Sequence, residues 1–388
     1  MTDWLVKTFI KAPDAAESRE KYGLLSGLVG IALNLLLSCG KFLAGLWTGS
    51  IAITADAFNN LSDAGSSVVT LAGFHMAAKQ ADEDHPFGHG RIEYLSGLVV
   101  AVAILLVGLE LGKSAIGKII TPEEVVFSWA SIGVLAASIL VKLWMYFFNR
   151  RLSRRIDSAA MMATATDSLS DVVATSAVLL GTLVGHFSGW HIDGFVGVVV
   201  AAFILKAGWG AAKDTLDPLL GQSPDPALVR GILETVLAHP LIAGVHDLVV
   251  HDYGPGRCMI SLHAEVPMTA NVLEVHDEID NIEKELHRKF RVEAVIHMDP
   301  IATDDPVVAD LRIRMAALVK DIDPAMTIHD FRMTQGPDHQ NLIFDAVVPH
   351  GCPLTDEEVR SAIAAKARTM GENYFTVVSL DRAYTEVG

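Results

Sequence analysis

The chain has 388 residues, 51% of them hydrophobic, with 46 acidic against 30 basic residues and a formal net charge of -16. Its mean hydropathy of +0.37 is high for a soluble protein and low for one embedded in lipid throughout, so part of the chain is expected in a membrane and part in water. From Asp214 onward there are 29 acidic and 14 basic residues, a balance that argues against nucleic acid as a partner and suits cations.

The N-terminal stretch "MTDWLVKTFIKAPDAAESREKYG" has too short an apolar run and no small-residue cleavage site, so it is not expected to be a signal peptide and should stay in the cytosol. Apolar stretches of roughly 20 residues, enough to cross about 30 Å of hydrocarbon, fall near 22–48, 51–77, 92–112, 125–148, 157–185 and 192–212. Lys7, Lys11, Arg19 and Lys21 precede the first stretch. Lys79 and Arg91 lie between the second and third, and Arg150, Arg151, Arg154 and Arg155 between the fourth and fifth. The opposite loops offer chiefly Lys113 and Lys118, so both termini are expected on the cytoplasmic side of a cell (inner) membrane.

After the Pro-containing linker "GQSPDPAL" the pattern changes to helix (226–238), strand (245–253), strand (257–266), helix (273–290) and strand (291–299). "VHDLVVHDYGPGRCMISLHAEVP" at 245–267 is echoed by "IHDFRMTQGPDHQNLIFDAVVP" at 328–349, an offset of about 82 residues that also carries Asp299 onto Asp381. The expected fold class is a six-helix transmembrane bundle followed by tandem ferredoxin-like α/β cytoplasmic domains. Its divisions are 1–21 (N-terminal segment), 22–213 (transmembrane domain), 222–300 (first repeat) and 305–384 (second repeat). The second repeat keeps His329 and Asp381 but has Asp345 and Ser379 where the first has His263 and His297, which makes it oxygen-rich or without a site.

Asn59 and Asp63 are four residues apart and share one face of the second stretch, and Asp167 and Asp171 do the same on the fifth. Counting about 1.5 Å per residue, both pairs fall near the middle of their spans. A lone carboxylate there is expensive and by default marks a functional site. The bland alternative is pairing with Lys41, Lys142 or Lys206, which are expected to lie too near helix ends or too far along the pattern to neutralise three aspartates. Three carboxylates and one amide oxygen form an all-oxygen ligand set that suits Mg, Ca and Mn, whereas zinc prefers His and Cys. Among first-row metals that favours Mn²⁺. Ala57, Gly65, Ser66, Ala163, Ala165 and Ser168 are small enough to let the two helices approach.

The chain has no Gly-rich phosphate loop, aspartyl-phosphate signature or nucleotide motif, so an enzyme or ATP-driven pump has no residues to carry it. Cys39, Cys258 and Cys352 are too scattered for a disulfide framework or a thiolate metal site.

"ADAFNNLSD", "HPFGHGRIEYLSGL", "DSLSDVVATS" and "VIHMDP", in that order over residues 15–300, resemble the cation diffusion facilitator family of divalent-metal/proton antiporters. The resemblance implies a homodimer in the lipid bilayer, divalent cations as cargo, protons as counter-ion and no nucleotide. It puts a central transport site on Asn59, Asp63, Asp167 and Asp171, where the Asn59 and Asp167 pattern is that of manganese-exporting members. It implies a loop metal site on Asp82, His85 and His89, although an ordered turn without metal would use the same residues. It further implies a cytoplasmic site on His246, His263, His276, His297 and Asp299 that closes the dimer, and a charge interlock between Arg91 and Asp214 or Asp217 in place of the acidic residue that the family often carries near Gly221. Zn²⁺, Fe²⁺, Co²⁺ or Cd²⁺ efflux is the alternative cargo reading, and a non-transporting membrane metal sensor the alternative function.

Overall fold

The computed structural model describes residues 6, 10, 15–48, 51–121, 128–188, 193–301, 305–335, 339–371 and 373–382. The chain divides into two compact units: residues up to Gln222 with the short segment Tyr253–Gly256, and Ser223–Asp252 with the chain from Arg257 onward.

The first unit is helical: α1 (Ala15–Thr48), α2 (Ile51–Ala77), α3 (Ile92–Ile120), α4 (Trp129–Ile156), α5 (Ala159–Ser188) and α6 (Asp193–Leu220). Among the described residues five helices are long and apolar enough to cross a membrane, namely all but α2. Helix α2 has the length, at 27 residues, but Asn59, Asn60 and Asp63 interrupt its apolar run. Leu36, Leu106 and Val199 are among the many large apolar side chains left more than 60% exposed on these helices, as a lipid-facing surface requires.

Several helices outrun their apolar stretch. In α4 the arginine-rich "NRRLSRRI" continues the helix to Ile156 because arginine is a good helix former. Asp157, left-handed at φ 47, ends it, with its N–H donating to the Ser153 carbonyl. The buried side of α4 runs through Ser138, Lys142, Met145, Asn149, Leu152 and Ile156, spaced three and four apart as one helix face demands. Helices α2 and α5 touch where the Thr70 and Thr164 hydroxyls lie 3.0 Å apart. At Gly97 in α3 a Cβ would fall 2.8 Å from the Ala160 Cα, so only glycine permits that crossing. A buried ionic knot ties α1, α3 and the start of α5. The Arg19 guanidinium donates to both oxygens of Glu93 at 2.8 and 2.7 Å and to the Ile156 carbonyl, and the Ser158 hydroxyl donates to Glu93 at 2.6 Å.

The second unit holds two copies of one motif. The first is α7 (Pro226–Leu237), β1 (Gly244–Asp252), β2 (Cys258–Pro267), α8 (Val272–Phe290) and β3 (Val292–Ile301). The second is α9 (Pro306–Lys320), β4 (Thr327–Gln335), β5 (Gln340–Val348), α10 (Asp356–Met370) and β6 (Tyr374–Arg382). In each, an antiparallel hairpin is joined by a parallel third strand, giving three-stranded sheets ordered β1-β2-β3 and β4-β5-β6. This differs from the expected ferredoxin-like fold, whose βαββαβ order has four strands. Among the described residues each repeat opens with a helix where that fold has its first strand, and the order is αββαβ.

Side-chain oxygens fix the helix starts: Asp225, Asn271 and Asp305 accept from the first-turn N–H groups of α7, α8 and α9, and Thr355 with Glu358 forms a reciprocal capping box on α10. Each repeat has its own core, one built on Ile232, Leu262, Ile282 and Leu286, the other on Met315, Leu342, Phe344 and Ile363. The Arg312 guanidinium of α9 donates to the buried Glu265 carboxylate of β2 at 3.2 Å, joining the two repeats.

Candidate metal centres

Asp63 on α2 and Asp167 and Asp171 on α5 converge, each offering a carboxylate oxygen within 4.8 Å of the others. The four-residue spacing on α5 aims both aspartates at α2. The side chain of Asn59, one turn before Asp63, is exposed in the single chain. Lys142 corrects the sequence expectation. Its ammonium donates to Asp63 at 2.7 Å and to Asp171 at 2.5 Å, and its side chain is 3% exposed. It reaches the aspartates because it lies in the buried stripe of α4, in line with Met145, Leu152 and Ile156. Lys41 instead donates to the Asn60 amide oxygen, at 2.6 Å.

Asp82, His85 and His89 also come together, with ligating atoms within 4.8 Å and the two imidazole centroids 4.6 Å apart. Asp82 organises this loop: one oxygen accepts from the His85 N–H at 2.9 Å and the other from the Lys79 ammonium at 2.5 Å. The Lys79 hydrogen bond holds the Asp82 carboxyl down at about 2. Arg91 is the N-cap residue of α3, while Asp214 and Asp217 lie in the last two turns of α6.

In the first repeat, sheet register does the assembling. His246 pairs with His263 and His263 with His297, so three imidazoles stand in a row across β1, β2 and β3. Asp299, two residues after His297, shares its face. Its carboxylate lies 2.8 Å from His263 Nδ1, 3.2 Å from His246 Nε2 and 3.3 Å from His297 Nε2. His276 is not among them. It is exposed on α8, 4.0 Å from Asp280, because its neighbours Val275 and Ile279 take the core-facing positions.

The sequence reasoning did not join the repeats, but the structure does: His329 of β4 stacks on His246 with ring centroids 4.1 Å apart. The signal was the dipeptide His-Asp at the same place in each copy. Both strands carry a bulge there, and Asp247 (φ 52) and Asp330 (φ 51) take the left-handed conformation that such an extra residue needs. Burial would pull the His246 imidazole down, but the Asp247, Asp299 and Glu265 carboxylates outweigh it and raise its pKa. Burial, then the neighbouring His246, lowers that of His329 and favours its neutral form.

The sequence matches the Cation efflux transmembrane domain over residues 27–220 and the Cation efflux protein cytoplasmic domain over residues 224–301. The chain belongs to the cation efflux family. This is a family of membrane transporters for divalent metals rather than of enzymes. The cation efflux protein described above is 31% identical over 273 residues to an uncharacterized transporter of Methanocaldococcus jannaschii, covering 70% of this chain and 96% of that one. It is 28% identical over 282 residues to the manganese efflux system protein MneS of Bacillus subtilis, covering 72% and 97% respectively. Over 290 residues it is 29% identical to the cation-efflux pump FieF of Shigella boydii, covering 72% and 95%. The second of these matches ends at residue 301, before the second repeat begins.

Proposed function

We propose that the protein is a homodimeric, proton-coupled exporter of divalent metal, with Mn²⁺ the principal cargo, spanning the cell membrane six times with both termini cytoplasmic. The observation that carries this reading is the convergence of Asp63, Asp167 and Asp171 on two long helices. Asn59 completes an all-oxygen ligand set one turn away, which suits Mn²⁺ better than Zn²⁺. The manganese efflux relative is consistent with that choice.

Lys142 adds a step. Its ammonium stands between Asp63 and Asp171 when no cation is present, limits the mutual repulsion of the carboxylates, and swings aside as the metal enters. Protons travelling the other way use the same carboxylates, since the central site contains no histidine. The loop cluster on Asp82, His85 and His89 and the sheet cluster on His246, His263, His297 and Asp299 bind metal outside the transport path. Softer imidazole ligands in the sheet cluster favour a second cargo reading, Zn²⁺, Fe²⁺, Co²⁺ or Cd²⁺, by the same route.

The test is uptake of Mn²⁺ against Zn²⁺ into proteoliposomes under an imposed pH gradient. Proton-linked Mn²⁺ flux that disappears in Asp63→Ala and moves toward Zn²⁺ in Asn59→His/Asp167→His is the expected result. Binding without flux of any metal would refute transport and leave a membrane metal sensor.

A further inference from the structure

We propose that the two cytoplasmic repeats of one chain jointly hold a divalent-cation centre on His246, Asp247 and His329, with the second repeat supplying His329 as ligand. The ligating atoms of these three residues lie within 4.8 Å of one another. Asp247 joins them, with one oxygen 3.3 Å from His246 Nδ1 and the other 3.5 Å from His329 Nε2. Asp381 stands 4.0 Å from the same His329 Nε2. The Nε2 of His246 faces Asp299 instead, so its Nδ1 is the atom left for this centre.

Burial turns proximity into an argument for a ligand. The side chains of His246 and His329 are 8% and 6% exposed; the His246 nitrogens lie 3.3 and 3.2 Å from the Asp247 and Asp299 carboxylates, and neither ring nitrogen of His329 makes a hydrogen bond within the described structure. Buried polar atoms are nearly always satisfied, and exceptions ask for an explanation such as a bound ion. The surroundings are anionic: Asp345 and Asp381 act on His329 as Asp247 does, and Asp299 and Glu265 act on His246. A divalent cation would satisfy the imidazole lone pairs and offset that negative charge together. Two imidazoles with carboxylate oxygen suit borderline cations such as Zn²⁺ or Co²⁺ over Mg²⁺ or Ca²⁺.

The repeat comparison points the same way. The second copy lacks two of the three histidines in the first repeat's row, having Asp345 and Ser379 at those register positions. The histidine it keeps, His329, is the one stacked on the first copy. At the matched bulges each left-handed aspartate, Asp247 and Asp330, lies close to the other repeat's ionisable groups.

This centre does not depend on transport, so the experiment silences the transport and loop sites. Full-length protein carrying Asp63→Ala, Asp167→Ala and His85→Ala, purified in detergent, is titrated with Co²⁺ by equilibrium dialysis while its visible ligand-field absorption is followed. Against that background His329→Ala should weaken one Co²⁺ equivalent by about 10-fold or more and change its spectrum. Asp247→Asn, which keeps shape and tolerates the left-handed backbone, should do the same without altering the metal-free melting temperature. The exposed His287→Ala should bind as the background does. Native affinity, count and spectrum in His329→Ala, with all binding lost in His263→Ala, would overturn the proposal by assigning the metal to the first repeat alone. Should His329→Ala fail to fold, native Co²⁺ binding by Asp247→Asn overturns it equally.

Discussion

Replacing Lys142 by methionine keeps most of the side chain's length and removes its charge. The lysine makes two charge-assisted hydrogen bonds, at 2.7 and 2.5 Å, each of which is worth about 1.5–3 kcal/mol net. An entering cation must break both, and it also feels the ammonium as a like charge. In Lys142→Met neither penalty operates, so Mn²⁺ should bind the central site at least ~10-fold tighter, ~1.4 kcal/mol being the lower bound. Transport should nevertheless slow. The emptied site would hold three carboxylates within 4.8 Å, and one pair at that separation repels by about 3.5 kcal/mol at an effective dielectric constant of ~20. Equilibrium dialysis with radiolabelled Mn²⁺, in a background lacking His85 and His246, measures the first effect, and proteoliposome flux the second. Unchanged or weaker Mn²⁺ binding in Lys142→Met would refute the idea that the lysine competes with cargo.

The Arg19–Glu93 knot gives a stability prediction: Arg19→Leu or Glu93→Leu alone strands a buried charge and should cost about 3–5 kcal/mol. The double variant should melt above the worse single in detergent, and simple additivity would contradict a coupled pair. Burial, reinforced by Asp252, pushes the Cys258 thiol up to about 11. In a Cys39→Ser/Cys352→Ser protein at pH 8 iodoacetamide should therefore label Cys258 ~100-fold more slowly than an ordinary thiol. Labelling at the free-thiol rate would show the strand to be open.

Much of the fold is legible because hydropathy and periodicity are local. The repeat echo at 245–267 and 328–349 marks two hairpins that form with matching bulges. The ends of α3 and α4 were less legible, since a hydropathy window stops where charges begin whereas the helical hydrogen bonds continue to Ile120 and Ile156. The convergence of Asp63, Asp167 and Asp171 could be read from spacing, but the approach of Lys142 to them could not. Its role depends on how α4 is turned toward α2 and α5, a rotation that only packing fixes. The surroundings of His276 and His329 were hidden for a related reason: ligand type is written in the sequence, whereas which face of α8 is turned outward and which repeat stacks on which are tertiary outcomes.

The Arg312–Glu265 link and the His246–His329 stack have a consequence for how the protein behaves at low abundance. Two cytoplasmic domains on separate polypeptides find each other according to their density in the membrane. Two on one polypeptide, with Ile301 and Pro306 only a few residues apart, meet at an effective concentration of roughly millimolar, whatever the number of molecules in the cell. A metal response built across that junction would be set by ion concentration alone, and a single newly made chain would already be able to give it.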